Sequence, residues 1–199
     1  MNLPNKISLT RICMIPVFVL VFFLDGVLPF SYGIAAIIFA VAACTDFIDG
    51  HIARSRGLVT NLGKFLDPIA DKVLVSTAML LILTMKTSLF GKVGGNSDIL
   101  YVITAVCICI IMARELIISA FRQIAAVNGI VMAADMLGKY KTTFQDISIF
   151  VLIFAADIAG GAGVFLFWLG FGLFMVATVL TVWSGISYVV KNKQVLKDN

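Results

Sequence analysis

Long apolar runs follow one another along this chain and restrict it to a few kinds of fold. Each is close to the roughly 20 residues that a helix needs to cross the hydrocarbon core of a bilayer. The six runs lie at residues 10–24, 32–52, 64–84, 99–126, 143–158 and 164–190. Of the 199 residues, 61% are hydrophobic and 13% are charged, more apolar surface than a soluble domain of this length can bury. The sequence therefore predicts an all-α polytopic membrane protein with six transmembrane helices in one domain, residues 1–199.

The segments between the apolar runs are short and polar. Residues 1–9 are expected to form a turn-like surface segment ahead of the first helix. Residues 54–64 and 127–141 are interpreted as basic and polar connections, and the glycine-rich residues 86–98 as a plain loop. Gly160-Gly161-Ala162-Gly163 is interpreted as a tight turn.

Positive charge is distributed unevenly among these connections. If the N-terminus lies inside, all but Lys86 and Lys92 of the 15 Lys and Arg residues fall at inside ends and loops. Cytoplasmic loops carry the excess of Lys and Arg in membrane proteins. The sequence therefore predicts a cytoplasmic N-terminus.

The four cysteines all lie in apolar runs and form no C-x-x-C pair. This pattern indicates neither a disulfide framework nor a zinc site. We expect the cysteines to be small buried hydrophobic side chains.

Two pairs of aspartates stand out against this apolar background. Asp46 and Asp49 are three residues apart, Asp67 and Asp71 four apart, so the members of each pair share a face of a helix. A carboxylate inside a membrane span costs roughly 2.5–3.5 kcal/mol on insertion scales, which makes such residues functional candidates. Four of them within one stretch would repel one another unless a cation lay between them. Carboxylate oxygens are the ligands that magnesium, calcium and manganese prefer.

Basic and small residues near the aspartates indicate anionic ligands. Gly50 and Gly63 would allow a ligand to approach the backbone closely, and Arg54 would reach a phosphate from the helix end. A second basic group is expected on the same side of the membrane: Arg114, Arg122, Lys139 and Lys141. A metal site with two positive zones suggests one lipid phosphate and one soluble phosphate ester.

Structural alternatives remain open for several of these residues. Asp67 and Pro68 resemble a helix N-cap followed by proline, and Asp71 would then favour the helix start. Arg114 and Glu115 would also make a plain structural ion pair. The roles of His51, Asp146 and Asp157 stay undecided.

The aspartate stretch resembles the signature of the CDP-alcohol phosphotransferase family, D-x2-D-G-x2-A-R-x8-G-x3-D-x3-D. The matching residues are Asp46, Asp49, Gly50, Ala53, Arg54, Gly63, Asp67 and Asp71. Within the family, the chain looks like the branch that makes phosphatidylglycerol phosphate. The stretches that carry this second resemblance are residues 3–7, 64–68, 113–115 and 137–142.

The resemblance implies a six-helix membrane enzyme of the bacterial plasma membrane, usually a homodimer, with a cytoplasmic cavity open to lipid. It implies transfer of the phosphatidyl group of CDP-diacylglycerol to glycerol 3-phosphate, with magnesium or manganese as the cofactor. Asp46, Asp49 and Asp67 would bind the metal, and Asp71 would share in it and act as the base. The other implied contacts are Gly50, Ala53, Arg54 and Gly63 for CDP-diacylglycerol, and Arg114, Arg122, Lys139 and Lys141 for the acceptor phosphate.

Other functions remain open at this stage. Inositol phosphate, phosphatidylglycerol (as in cardiolipin synthesis), serine or an amino alcohol would serve as acceptor in the same chemistry. Outside enzymes, an acidic membrane site would suit a cation transporter, and a silent family member would act as a lipid-binding partner. No nucleic-acid partner is expected.

Overall fold

A computed structural model of the chain describes residues 3–55, 61–127 and 136–193. Within these ranges, the structure does not describe the side chains of residues 3–8, 46–55, 61–68 and 127. The described residues form six α-helices and no β-strand, which confirms the all-α prediction. The helices are α1 (Leu3–Phe22), α2 (Ser31–Ser55), α3 (Asn61–Thr84), α4 (Ser97–Val127), α5 (Met136–Asp157) and α6 (Gly160–Lys191), with a 3₁₀ helix (Phe90–Asn96) before α4.

Two of the described helical segments are long and apolar enough to cross a membrane. They are Phe90–Ala126 and Gly160–Lys191, each with a mean hydropathy of 2.2, and Leu9–Phe22 and Ser31–Thr45 are shorter apolar helices. Large apolar side chains on these helices point outwards, and Leu116 and Trp183 are 69% and 66% exposed. Such a surface suits lipid rather than water. The chain is therefore a membrane protein, while six complete crossings stay a prediction.

The first helix begins earlier than the sequence indicates. Leu3 already belongs to α1, so the expected turn-like segment at residues 1–9 is wrong from Leu3 onwards, and residues 1 and 2 lie outside the described residues. Pro4 fits this position because the first amide groups of a helix have no partner within the helix.

Two other expected connections are helical in part, and residues 128–135 of the second lie outside the described residues. Residues 86–98 contain the 3₁₀ helix and the start of α4 rather than a plain loop. α5 begins at Met136, so Lys139 and Lys141 lie in its first turns and not in a connection. Polar residues lie in the first turns of α4 and α5, so the apolar pattern alone does not mark where these two helices begin.

The glycines at residues 160–163 start α6 instead of forming the turn themselves. The reversal between α5 and α6 is confined to Ile158 and Ala159. A Cβ atom on Gly163 would lie 1.9 Å from the carbonyl oxygen of Ile158, so only glycine allows so tight a return.

The core joins the helices around aromatic side chains. Phe18, Phe39 and Phe174 are almost fully buried, and Phe18 packs on Phe39 with ring centroids 6.0 Å apart. A second, smaller cluster joins the C-terminal ends of α4 and α6 through Ile118, Phe121, Ala125 and Tyr188.

The four cysteines are free, and their predicted burial is wrong for three of them. Cys107 is buried, whereas Cys13, Cys44 and Cys109 are exposed. The apolar face that a membrane helix presents to lipid has the same composition as the face that it presents to its neighbours. The sequence therefore did not distinguish the two faces.

At the end of the bundle where α2 begins, a side chain of α5 completes the first turn of α2. The amide of Gly33 donates a hydrogen bond to Oδ2 of Asp157, with a distance of 2.7 Å. Nearby, the hydroxyl of Tyr32 donates to Asp25 at 2.8 Å, and Nζ of Lys92 donates to the carbonyl of Ile158 at 2.8 Å. Asp157, whose role the sequence left undecided, thus satisfies one of the unpaired amides at the start of α2, where a negative charge is also favoured.

We expect Asp157→Ala to lower the free energy of unfolding by about 2 kcal/mol, because it removes a hydrogen bond to a charged acceptor. Asp98→Ala is the matched control, since Asp98 is 79% exposed and forms a surface salt bridge with the exposed Lys86. Thermal denaturation of both variants in the same detergent measures the difference. Equal melting temperatures for the two variants would contradict this role of Asp157.

Candidate active site

The aspartate stretch lies on two consecutive helices. Residues 46–54 belong to the C-terminal part of α2, and residues 63–71 belong to α3. The structure does not describe the side chains of six candidate residues: Asp46, Asp49, His51, Ala53, Arg54 and Asp67. The surroundings of Gly50 and Gly63 also lie outside the described residues. Among the residues that are described, no group of three or more His, Cys, Asp or Glu forms a metal site.

One structural alternative for the second aspartate pair is excluded by the start of α3. The helix begins at Asn61, so Asp67 and Pro68 lie within it and not at its N-cap. Asp71 likewise lies beyond the first turn, where a helix dipole acts most strongly. Helix capping therefore does not explain this pair.

Asp71 and all four members of the predicted basic group line a single cavity of about 520 Å³. α3 contributes Asp71 and Lys72, and α6 contributes Tyr188. α4 and α5 contribute the rest: Arg114, Glu115, Ile118, Ser119, Arg122, Gln123, Gly138, Lys139, Lys141 and Thr142. The structure thus brings the expected base and the expected acceptor-binding residues together, although they are far apart in the sequence.

A carboxylate shared by two cations forms the wall of this cavity. Glu115 accepts hydrogen bonds at Oε1 from Nη1 of Arg114, at 3.0 Å, and from Nζ of Lys141. Lys141 is only 2% exposed, and Glu115 is the carboxylate that pairs directly with its buried ammonium group. The structural ion pair that the sequence left as an alternative is therefore present, and it also lines the cavity.

α6 holds the two arginines of α4 in position. Nη2 of Arg114 donates to the hydroxyl of Ser184 at 3.0 Å, and a Cβ atom on Gly185 would lie 3.1 Å from Cγ of Arg114. Nε of Arg122 donates to the hydroxyl of Tyr188 at 3.1 Å, and its guanidinium lies 5.3 Å from the centre of the Tyr188 ring.

Sequence reasoning missed Ser184 and Tyr188 as part of this site. They are four residues apart on α6, so they share one face. Two polar side chains on one helix face, near the end of an apolar run, were the sequence signal that could have indicated a role in the site.

Lys72 was also missed, although it follows Asp71 directly. Its Nζ donates a hydrogen bond to the hydroxyl of Ser119 on α4. The Ser119 hydroxyl in turn donates to the backbone carbonyl of Glu115. This short chain of hydrogen bonds ties α3 to α4 beside Asp71.

A small cavity of about 30 Å³ adjoins the same side chains. Asp71, Lys141, Gln145 and Asp146 are among the residues that line it. Gln145 is 3% exposed and its Oε1 has no hydrogen-bond partner in the described part of the chain. The volume suits a single water molecule. Asp146, which the sequence left undecided, thus lies beside the predicted base.

The charges that line the larger cavity favour an anionic ligand. Five cationic side chains and two carboxylates surround it. Arginine and lysine side chains in such a setting bind phosphate through charge-assisted hydrogen bonds. The cavity is therefore suited to a phosphate ester beside a carboxylate that can accept a proton.

Comparisons with known proteins agree with this chemistry. The family model described as CDP-alcohol phosphatidyltransferase matches residues 1–183. A protein of Bacillus subtilis (strain 168), named CDP-diacylglycerol--glycerol-3-phosphate 3-phosphatidyltransferase, is 35% identical over 217 residues, which cover 98% of this chain and 97% of the relative. Proteins of the same name from Escherichia coli (strain K12) and Shigella flexneri serotype 5b (strain 8401) are 38% identical over 190 residues, covering 94% of this chain and 93% of each relative.

We expect Glu115→Gln to destabilise the fold by roughly 3 kcal/mol, because it removes the carboxylate that pairs with the buried Lys141 ammonium group. Lys141→Met should cost clearly less, since it removes the buried charge and retains the apolar stem. Melting temperatures in detergent would measure both variants and the double variant.

The double variant Glu115→Gln, Lys141→Met should match the Lys141→Met variant in stability. A double variant that is no more stable than Glu115→Gln alone would show that the cost does not arise from the unpaired lysine.

Proposed function

The chain belongs to the CDP-alcohol phosphatidyltransferase family, and we propose that it transfers the phosphatidyl group of CDP-diacylglycerol to glycerol 3-phosphate in phospholipid biosynthesis. The products are phosphatidylglycerol phosphate and CMP. The observation that carries the proposal is the single cavity in which Asp71 lies with five cationic side chains. That arrangement suits an acceptor with both a phosphate and a reactive hydroxyl group.

The acceptor phosphate binds among the cations that line the cavity, where Arg114, Arg122, Lys139 and Lys141 lie. This binding brings the acceptor hydroxyl to Asp71, which accepts its proton. The freed oxygen attacks the phosphorus atom that carries diacylglycerol. A new oxygen–phosphorus bond forms as the bond from that phosphorus to CMP breaks, so CMP leaves with the bonding electrons.

The donor site lies where α2 ends and α3 begins. Gly50, Ala53, Arg54 and Gly63 contact the diphosphate of CDP-diacylglycerol or its surroundings, with the acyl chains in the bilayer. Asp46, Asp49, Asp67 and Asp71 hold a divalent cation, magnesium or manganese. These four carboxylates fit such an ion, because they supply the oxygen ligands that hard cations prefer. When bound, the ion would neutralise phosphate oxygens and polarise the phosphorus.

The position of the positive charges supports a cytoplasmic N-terminus and a cytoplasmic cavity in a bacterial plasma membrane. The relatives named above are bacterial, and the family resemblance supports a homodimer surrounded by membrane lipid. A reporter fused after Lys92 tests the orientation and should lie outside the cell. A cytoplasmic reporter would reverse the topology.

We expect purified protein to release CMP from CDP-diacylglycerol when glycerol 3-phosphate is added, and to stop when a chelator removes divalent cations. Glycerol and serine should be poor acceptors, because they lack the phosphate that the cavity binds. Inositol phosphate, used as the acceptor, tests whether the cavity recognises only the phosphate group. Release of CMP with inositol phosphate but not with glycerol 3-phosphate would replace the proposed acceptor.

We expect Asp71→Asn to lower kcat by at least about 100-fold, because the amide cannot accept the proton of the acceptor hydroxyl. The variant should still insert into the membrane. Asp98→Asn is the matched control, since Asp98 lies at the exposed start of α4. Near-normal turnover of Asp71→Asn would exclude Asp71 as the base.

A further inference from the structure

The cations of the cavity differ in the group that holds them. Lys141 and Arg114 both donate to the carboxylate of Glu115. Lys72 and Arg122 donate instead to neutral hydroxyl groups, those of Ser119 and Tyr188. In the described part of the chain, neither Lys72 nor Arg122 makes a salt bridge.

This difference decides how much positive charge each cation offers to a ligand. A cation bound to a carboxylate is largely neutralised, and a phosphate must compete with that carboxylate for it. A cation bound to a hydroxyl keeps its full charge and its remaining donors. An ammonium group has three donors, and Ser119 uses one of those on Lys72.

The hydroxyl that holds Lys72 is itself fixed in orientation. Ser119 donates its proton to the carbonyl of Glu115, one turn earlier on α4, and therefore presents a lone pair to Lys72. Lys72 is half-buried and lines both the larger and the smaller cavity, directly after Asp71 in the sequence. Its ammonium group is thus held at the cavity wall, close to the proposed base.

We propose that Lys72, held by Ser119, binds the acceptor phosphate together with Arg122, whereas Lys141 serves mainly as the counterion that holds Glu115 in place. This inference rests on the proposed function, since it names a further binding residue of the same cavity. It adds Lys72, a cation whose partner is a neutral hydroxyl group, to the phosphate-binding residues of the cavity. Lys141, at 2% exposed, has little surface left for a ligand.

The test compares steady-state kinetics of CMP release at varied glycerol 3-phosphate for the wild type, Lys72→Gln, Lys72→Arg, Ser119→Ala and Lys191→Gln. Lys72→Gln should raise KM for glycerol 3-phosphate roughly tenfold or more, the usual effect of losing one hydrogen bond to a charged group, with kcat changed much less. Lys72→Arg should restore most of the affinity. Ser119→Ala should raise KM by a few-fold, because Lys72 keeps its charge but loses its position.

Lys191→Gln is the control for the loss of one positive charge, because Lys191 is exposed at the end of α6 and does not line the cavity. It should leave KM and kcat unchanged. Inorganic phosphate, used as a competitive inhibitor against glycerol 3-phosphate, provides a second measurement. Its inhibition constant should rise in Lys72→Gln and Ser119→Ala and stay constant in Lys191→Gln.

The outcomes separate the inference from the function on which it rests. A wild type whose CMP release does not depend on glycerol 3-phosphate would overturn the proposed function. A wild type that saturates normally, with KM and phosphate inhibition unchanged in Lys72→Gln, would overturn the role of Lys72 alone. A loss of kcat without a change in KM would do the same. If Lys72→Gln fails to fold, an unchanged KM in Ser119→Ala overturns the inference.

Discussion

The hydrogen bonds that converge on Glu115 hold the walls of the cavity together. Lys141 brings the start of α5 to this carboxylate, and Arg114 brings α4 to α6 through Ser184. A buried ammonium group is stabilised when a counterion lies against it, so the charge of Glu115 on α4 helps to hold the start of α5 in position. The same pairing leaves Lys72 as a cation whose charge is not cancelled by a carboxylate in the described part of the chain.

The C-terminal part of α6 contributes neutral side chains to the described site. Ser184 and Tyr188 are neutral donors and acceptors, and Gly185 leaves space for the aliphatic stem of Arg114. Tyr188 also packs against Phe121, so one side chain joins the small apolar cluster to the polar cavity. Precise placement of arginines through packing is what allows them to bind a phosphate with a fixed geometry.

Long apolar runs predicted all six helices, because helices that lie in lipid need continuous apolar stretches. The starts at Leu3 and Met136 were missed, since polar residues continue a helix without an apolar signal. In the site, the predicted topology placed the basic group of α4 and α5 on the same side of the membrane as Asp71, and the family resemblance implied that both belong to one site. The contribution of Lys72, Ser184 and Tyr188 could not be predicted, because it depends on which helices face each other, and a single sequence does not contain that information.

The hydrogen bond between Gly33 and Asp157 has a consequence for biosynthesis. The two residues are separated by 124 positions, so the first turn of α2 is made long before its acceptor leaves the ribosome. Asp157 lies at the C-terminal end of its own helix, where a negative charge is disfavoured, and beside the N-terminal end of α2, where it is favoured. The hydrogen bond at the start of α2 therefore cannot form until α5 has been translated. Assembly of this end of the bundle must follow synthesis of α5.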